Sequence, residues 1–362
     1  MPADSKQERF GEAIDSAPSL TGWIKTLAGQ RREAGEADTP CPLCSGTRVF
    51  RISAKDRHGK PLHTVVCVCC GLFRTDPLPS SARMADFHRE QYRLLYKGTA
   101  RPSPRRICRS ARLAVSRWRQ LGPYIPLGAR VLDIGSGSGE WLYVLARSGR
   151  RPQEIEVDPC YAAFAAESYG AEVVNASLFD FDPCGKQFDV ITAFHVLEHL
   201  CDPVAALKKC HGWLAGEGVL IVEVPNLAST RQNPYRLFHP AHVVGFTPGS
   251  LRFAAESAGF FLMEWILDPS KRNLLVCLAK QAPPGRGAEP RRETEDPLCG
   301  WFRYTRPALR YWTDPATYWR AAERLLRMGT EIVAGRAAMA DPRAFLDRMI
   351  ERHGPDFPAA VR

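Results

Sequence analysis

Five cysteines fall within residues 41–70, and four of them make two CxxC pairs, Cys41–Cys44 and Cys67–Cys70. Two such pairs joined by a hairpin can present four thiolates in a tetrahedron, the arrangement zinc takes in structural sites. Gly71, directly after the last cysteine, suits the tight knuckle that follows. Cys69 is the odd thiol and an alternative to Cys70, although CxxC spacing favours Cys67 with Cys70. A closed four-cysteine site has no open coordination position, so the zinc expected here is structural.

A second chemical signal lies at Val131–Gly139, VLDIGSGSG, where an apolar strand runs into a glycine-rich turn and then a helix. Gly135, Gly137 and Gly139 allow positive φ and close approach of a ligand to the backbone, with Ser136 between the first two. Asp133 sits two residues before the first glycine, where a carboxylate would repel a pyrophosphate but welcome an ammonium or sulfonium group. The spacing is GxGxG and not the GxGxxG of dinucleotide sites. An acidic residue about 20 positions beyond such a loop is where a ribose hydroxyl pair is gripped. Asp158, before Pro159, is favoured for that role over its rival Glu156.

Histidines supply the third signal. His195, Glu198 and His199 fall at the end of one strand and the start of the next helix, and ligands bind at the carboxyl ends of strands in open α/β sheets. His195 is the first candidate for a general base. Glu198 and His199 are also candidates, against a capping role in their own loop. A later cluster, Tyr235, His239 and His242, occupies a long connection of the kind that often carries function.

These groups must be held by recognisable elements. Apolar runs at 130–134, 154–157, 171–174, 188–194 and 218–224 read as strands, alternating with helices at 139–148, 160–168 and 203–213. That alternation predicts an α/β fold: a doubly wound, mostly parallel seven-stranded sheet of Rossmann-like type. A helix at 248–258 and runs at 260–267 and 273–279 follow, and the two runs pair as an antiparallel hairpin closing the sheet. The expected divisions are a polar segment (1–38, with an amphipathic stretch from Leu20 to Leu27), the cysteine module (39–80) and a helical lid (81–125). After these come the main domain (126–281) and a linker with a helical extension (282–362), whose Pro/Gly-rich start, 281–297, reads as the linker.

The net charge of +10 suits acidic partners, nucleic acid among them. No apolar run is long enough to span a membrane and the first residues carry no secretory pattern, so the chain is expected in the cytoplasm.

VLDIGSGSG, followed by EVDP, FDVITAFHVLEHL and GVLIVEVPN, resembles the class I S-adenosylmethionine-dependent methyltransferases, within them the subfamily with an LEH motif after the fourth strand. The resemblance covers roughly residues 105–280. It implies that Asp133, Gly135, Gly137 and Asp158 fall on S-adenosylmethionine-binding positions and that Ser177 and Leu178 flank the adenine. CPLC…CVCCGLFRTDPLP, with the aromatic helix behind it, resembles the N-terminal segment of bacterial methyltransferases acting on sugars or polysaccharide precursors. Tyr92 and Tyr96 on that helix would either close over the cofactor or pack in the core. The expected activity is methyl transfer to a small-molecule acceptor, a sugar, nucleotide-sugar or glycan precursor. RNA methylation is the alternative, and a non-catalytic zinc-ribbon interaction protein a third reading. The oligomeric state and the final 80 residues are not legible.

Overall fold

The computed structural model describes residues 35–135, 137–229, 237–266, 272–280 and 312–352. Ser136, Tyr235, the 20–27 stretch and the 281–297 linker lie outside the described residues.

The larger sheet contains β5 (Arg130–Ile134), β6 (Arg151–Ile155), β7 (Val173–Val174), β8 (Phe188–Phe194), β9 (Leu214–Pro225), β11 (Phe261–Ile266) and β12 (Asn273–Ala279). Its order is β11-β12-β9-β8-β5-β6-β7. Strands β5 to β9 pair in parallel, while β12 runs antiparallel to β9 and β11 antiparallel to β12. The seven-stranded sheet and its closing hairpin are therefore present. β5 and β8 are buried almost end to end, because helices cover both faces of the sheet.

Helices α1 (Ser81–Asp86) and α2 (Tyr92–Lys97) flank a π-helical turn, and α3 (Pro104–Leu121) follows. The sheet is then covered by α4 (Glu140–Arg147), α5 (Pro159–Tyr169), α6 (Pro203–Trp213) and α7 (Pro248–Ser257). The last two are α8 (Pro315–Ala340) and α9 (Pro342–Arg352). Local chemistry sets several starts. α5, α6, α7 and α8 each open on proline, behind Asp158, Asp202, Thr247 and Asp314, whose side chains accept from first-turn amides.

A smaller antiparallel sheet has the order β1 (Gly35–Glu36), β2 (Arg48–Lys55), β3 (Pro61–Cys67), β4 (Phe73–Thr75) and β10 (Val244–Gly245). Its last strand comes from the connection after β9, so the cysteine module and the main domain share a sheet. Cys67, Leu72 and Met84 also belong to one buried cluster with Leu132, Ile134 and Val243. The buried Arg74 donates to Asp76 at 2.8 Å and to Thr39 Oγ1 at 2.9 Å, tying the chain before the first cysteine pair to β4.

The C-terminal extension packs against the back of α3. A Cβ at Gly335 would lie 2.8 Å from the Pro104 carbonyl carbon, so the helix crossing needs glycine there. Arg105 pairs with the buried Glu331 at 2.9 Å, and Asp347 accepts from Tyr143 at 3.0 Å. Among the described residues no helix is long and apolar enough to cross a membrane.

Candidate active site

A cavity of about 870 Å³ opens at the carboxyl ends of β5, β6 and β8, beneath α1, α2 and α3. That volume is at the upper end of ordinary small-molecule sites. Gly135 and Gly137 line it, with φ of 69° and 81°. A Cβ at Gly135 would lie 3.2 Å from Val196 Cγ2, so the loop runs close beneath the β8 turn. Asp133 is wholly buried under the loop, accepts from Thr192, and is not among the lining residues. Gly139 has a packing role: a Cβ there would sit 2.7 Å from Ala165 Cβ, and its absence lets α4 close on α5.

The two candidate carboxylates are placed differently. The Asp158 carboxylate is occupied at the start of α5, accepting from the amides of Cys160 at 2.9 Å and Tyr161 at 3.1 Å. Glu156 lines the cavity. Register explains the exchange: β5 and β6 pair Asp133 with Glu154 and Ile134 with Ile155, which puts Glu156 abreast of Gly135. Its carboxylate accepts from Gly137 N at 3.1 Å and Asp158 N at 2.9 Å. A carboxylate has about four acceptor sites, so two remain, enough for a vicinal diol. Burial pushes the Glu156 carboxyl up, against the pull of Arg93.

Arg93, from α2, was not anticipated. Its guanidinium lies 3.7 Å from Glu156 and 3.6 Å from Asp158, and stacks over the Tyr161 ring at 3.9 Å. No sequence motif marks it, because only the lid's fold brings it there. Ser177 and Leu178 line the cavity, joined by Asp180, which accepts from Ser177 Oγ at 2.6 Å. Tyr92 lines the cavity, whereas Tyr96 packs against His239, with ring centroids 5.4 Å apart.

His195, Glu198, His199 and His242 all line the cavity and lie close together. One ligand-type atom each of Glu198, His199 and His242 lies within 4.8 Å of the others. Glu198 Oε2 is buried without a hydrogen-bond partner. His195 has φ 58° and is held between two carboxylates, Nδ1 to Glu198 at 3.1 Å and Nε2 to Glu223 at 3.4 Å. Burial pulls its proton affinity down, but the two carboxylates reverse this and raise it to about 9. Burial also opposes ionisation of Glu223, yet Arg117, 2.7 Å away, and His195 hold it well below the usual carboxylate range. A value of about 9 makes His195 an imidazolium near neutral pH.

His199 is the opposite case, its proton affinity lowered by burial to about 4. Its Nδ1 lies 2.6 Å from the Ala241 carbonyl and 3.1 Å from His88 Nε2. A carbonyl only accepts, so Nδ1 carries the hydrogen and Nε2 keeps its lone pair. Burial likewise leaves His242 well below its ordinary value, and neutral. His88 and Glu223 carry no motif; proximity in the fold alone identifies them.

The charge on His195 has a consequence for stability. Its folded value is above the ordinary 6.5, so its contribution is complete below about pH 6.5 and fades as pH rises through about 9. Its side chain is 38% exposed, and solvent screening reduces the size of the effect. Urea melts between pH 6 and 10 should show a loss in the wild type that His195→Gln lacks. Parallel profiles would show that His195 is not the group titrating.

The four cysteines meet as spacing predicts. Sγ–Sγ distances are 3.5 Å for Cys41–Cys70 and for Cys44–Cys67, and all four sulfurs lie within 4.8 Å. Zinc–sulfur bonds of about 2.3 Å place tetrahedral sulfurs about 3.8 Å apart, so the set fits zinc. A Cβ on Gly46 would lie 3.4 Å from Cys44 Sγ and 3.1 Å from Cys69 Sγ, so a glycine keeps this turn close to the sulfurs. Cys69 is exposed and outside the cluster.

A methyltransferase-domain family model matches residues 105–264. A ubiquinone biosynthesis O-methyltransferase of Bradyrhizobium diazoefficiens is 34% identical over 106 residues, covering 27% of this chain and 41% of that one. A probable S-adenosylmethionine-dependent methyltransferase of Mycobacterium tuberculosis is 30% identical over 113 residues, covering 30% and 41%. The chain thus spans well under half the length of these relatives. Among solved structures, a TehB-like methyltransferase from Corynebacterium glutamicum aligns at TM-score 0.36 and 20% identity, over 47% of this chain and 98% of that one. The match to the methyltransferase-domain family falls on residues 105–264, the part of the chain that contains the parallel strands β5 to β9.

Proposed function

We propose that the chain transfers a methyl group from S-adenosylmethionine to a small-molecule acceptor, a sugar, nucleotide-sugar or glycan precursor, and that Cys41, Cys44, Cys67 and Cys70 hold a structural zinc ion. The observation that carries this reading is one cavity with the glycine loop and Glu156 at one wall and neutral imidazoles at another. S-adenosylmethionine supplies, when bound, an electrophilic methyl group on a sulfonium. Gly135 and Gly137 admit a ligand against the backbone, Glu156 accepts from a ribose diol, and Ser177, Leu178 and Asp180 border the base. His199 takes the proton that the acceptor loses onto Nε2, while its Nδ1–H on Ala241 holds the ring. His195, whose two ring nitrogens face Glu198 and Glu223, holds those carboxylates in place beside the acceptor.

Charge within the cavity supports a small polar acceptor over RNA. Five arginines at its wall (Arg89, Arg93, Arg106, Arg109, Arg117) face six carboxylates (Asp86, Glu140, Glu156, Asp180, Glu198, Asp202). Such a mixed wall suits hydroxyl-rich ligands, whereas a phosphate backbone needs a basic one. The decisive experiment measures cofactor binding by calorimetry, then methyl transfer from labelled cofactor to a panel of sugars, nucleotide-sugars and RNA. His199→Ala should lower kcat by about 10²–10⁴ with cofactor affinity within about twofold. An unchanged kcat would remove His199 from proton transfer, and no cofactor binding by the wild type would end the proposal.

A further inference from the structure

The inner face of α8 is occupied by its crossing with α3: Glu331, Gly335 and Ala338 are buried there. The opposite face carries a regular apolar stripe. Tyr318, Leu325, Ile332 and Met339 recur every seven residues, and Trp319, Leu326 and Val333 stand one position further on. All seven are 42% to 78% exposed. At roughly 150–250 Å² for a large side chain, those exposures leave on the order of 800 Å² of apolar surface. That exceeds the largest patch of a typical monomer, about 300–600 Å², and matches the roughly 800 Å² each partner contributes to a stable interface.

A strict seven-residue repeat is the period at which one helix keeps a seam against another. Ala322 and Gly329 lie on the same stripe, and a Cβ at Gly329 would meet nothing within 4 Å, so a second backbone can approach there. A bilayer surface would require neither the repeat nor the small residues.

We propose that α8 is a dimerisation helix that pairs, antiparallel, with α8 of a second copy of this chain, crossing near Gly329. Antiparallel pairing sets Leu326 beside the partner's Val333 and Trp319 beside the partner's Met339. It also brings Glu323 toward the partner's Arg336. Parallel pairing would instead set Arg336 against its own copy. The proposal is independent of the methyltransferase reading.

Sedimentation equilibrium of the full chain over a dilution series tests it. The wild type should run at twice the 40.4 kDa chain mass. Leu326→Glu with Val333→Glu should run at the single-chain mass with an unchanged circular dichroism spectrum, since both side chains face outward. Gly329→Cys should form an intermolecular disulfide under mild oxidation, placing the crossing at residue 329. Trp319→Cys with Met339→Cys should do so only in the antiparallel pair, since parallel helices keep positions 319 and 339 about 30 Å apart. A wild type that stays monomeric overturns the proposal, whether the stripe is then protected by the chain's own segments or binds anionic vesicles. A dimer unaffected by the double substitution overturns it equally.

Discussion

Glu156→Ala should weaken S-adenosylmethionine binding by about 10²–10⁴, while Asp158→Ala should leave it within about threefold. The first figure follows from losing two hydrogen bonds to a charged acceptor, at about 1.5–3 kcal/mol each. Part of the loss comes from the loop itself, because Glu156 also accepts from Gly137 N at 3.1 Å and holds the turn in place. Glu156→Gln, close to the same shape, separates the two effects: it keeps the side chain in position and weakens only the charge-assisted bonds. Asp158→Ala removes a helix cap and should cost about 1 kcal/mol of stability, read as a lower melting temperature. Calorimetric titration of the three variants decides the assignment. Tight binding by Glu156→Ala with loss in Asp158→Ala would return the ribose to Asp158.

Removing zinc should have a wider structural effect than a peripheral module would suggest. Metal analysis should find zinc bound to the wild type and absent from Cys67→Ser. Structural zinc contributes on the order of 10 kcal/mol or more to its fold, so the melting temperature should fall by on the order of 10 °C or more. The damage has a predictable route. β4 follows the second cysteine pair and pairs with β10, at Arg74–Val244 and Phe73–Gly245. Thr75 N also donates to Val243 O at 2.9 Å, one residue from His242. Loss of the metal should therefore expose the segment around β10 to proteolysis and abolish turnover. Cofactor affinity should change little, because the glycine loop and Glu156 belong to the other sheet. Proteolysis patterns and calorimetry on chelated protein check both halves; an unaltered melting temperature without metal would remove the structural role.

Much of this was legible in the chain. Strands 130–134 and 188–194 match β5 and β8, because a strand covered on both faces must be apolar throughout. The cysteine pairs and the glycine loop were readable because metal chemistry and positive φ restrict residue type and spacing locally. His195 and His199 both line the cavity, but the sequence ranks them by position alone. Their charge states depend on groups far away in sequence: Glu223 for His195, Ala241 and His88 for His199.

Taken alone, the sequence determined the strands at 130–134 and 188–194, where the glycine loop turns, and which thiols cluster. Each of these follows from local periodicity, conformational restriction or ligand spacing. The same reading set the second strand at 154–157, where the structure has Arg151–Ile155, and did not give β4 or β10. Only the tertiary structure placed Glu156, and not Asp158, on the cavity wall, since that depends on where β6 ends relative to β5. It alone brought Arg93 to the cavity, joined β10 to the cysteine module's sheet, and turned the face of α8 outward. These are pairings between distant segments, set by register and packing, and no local pattern records them.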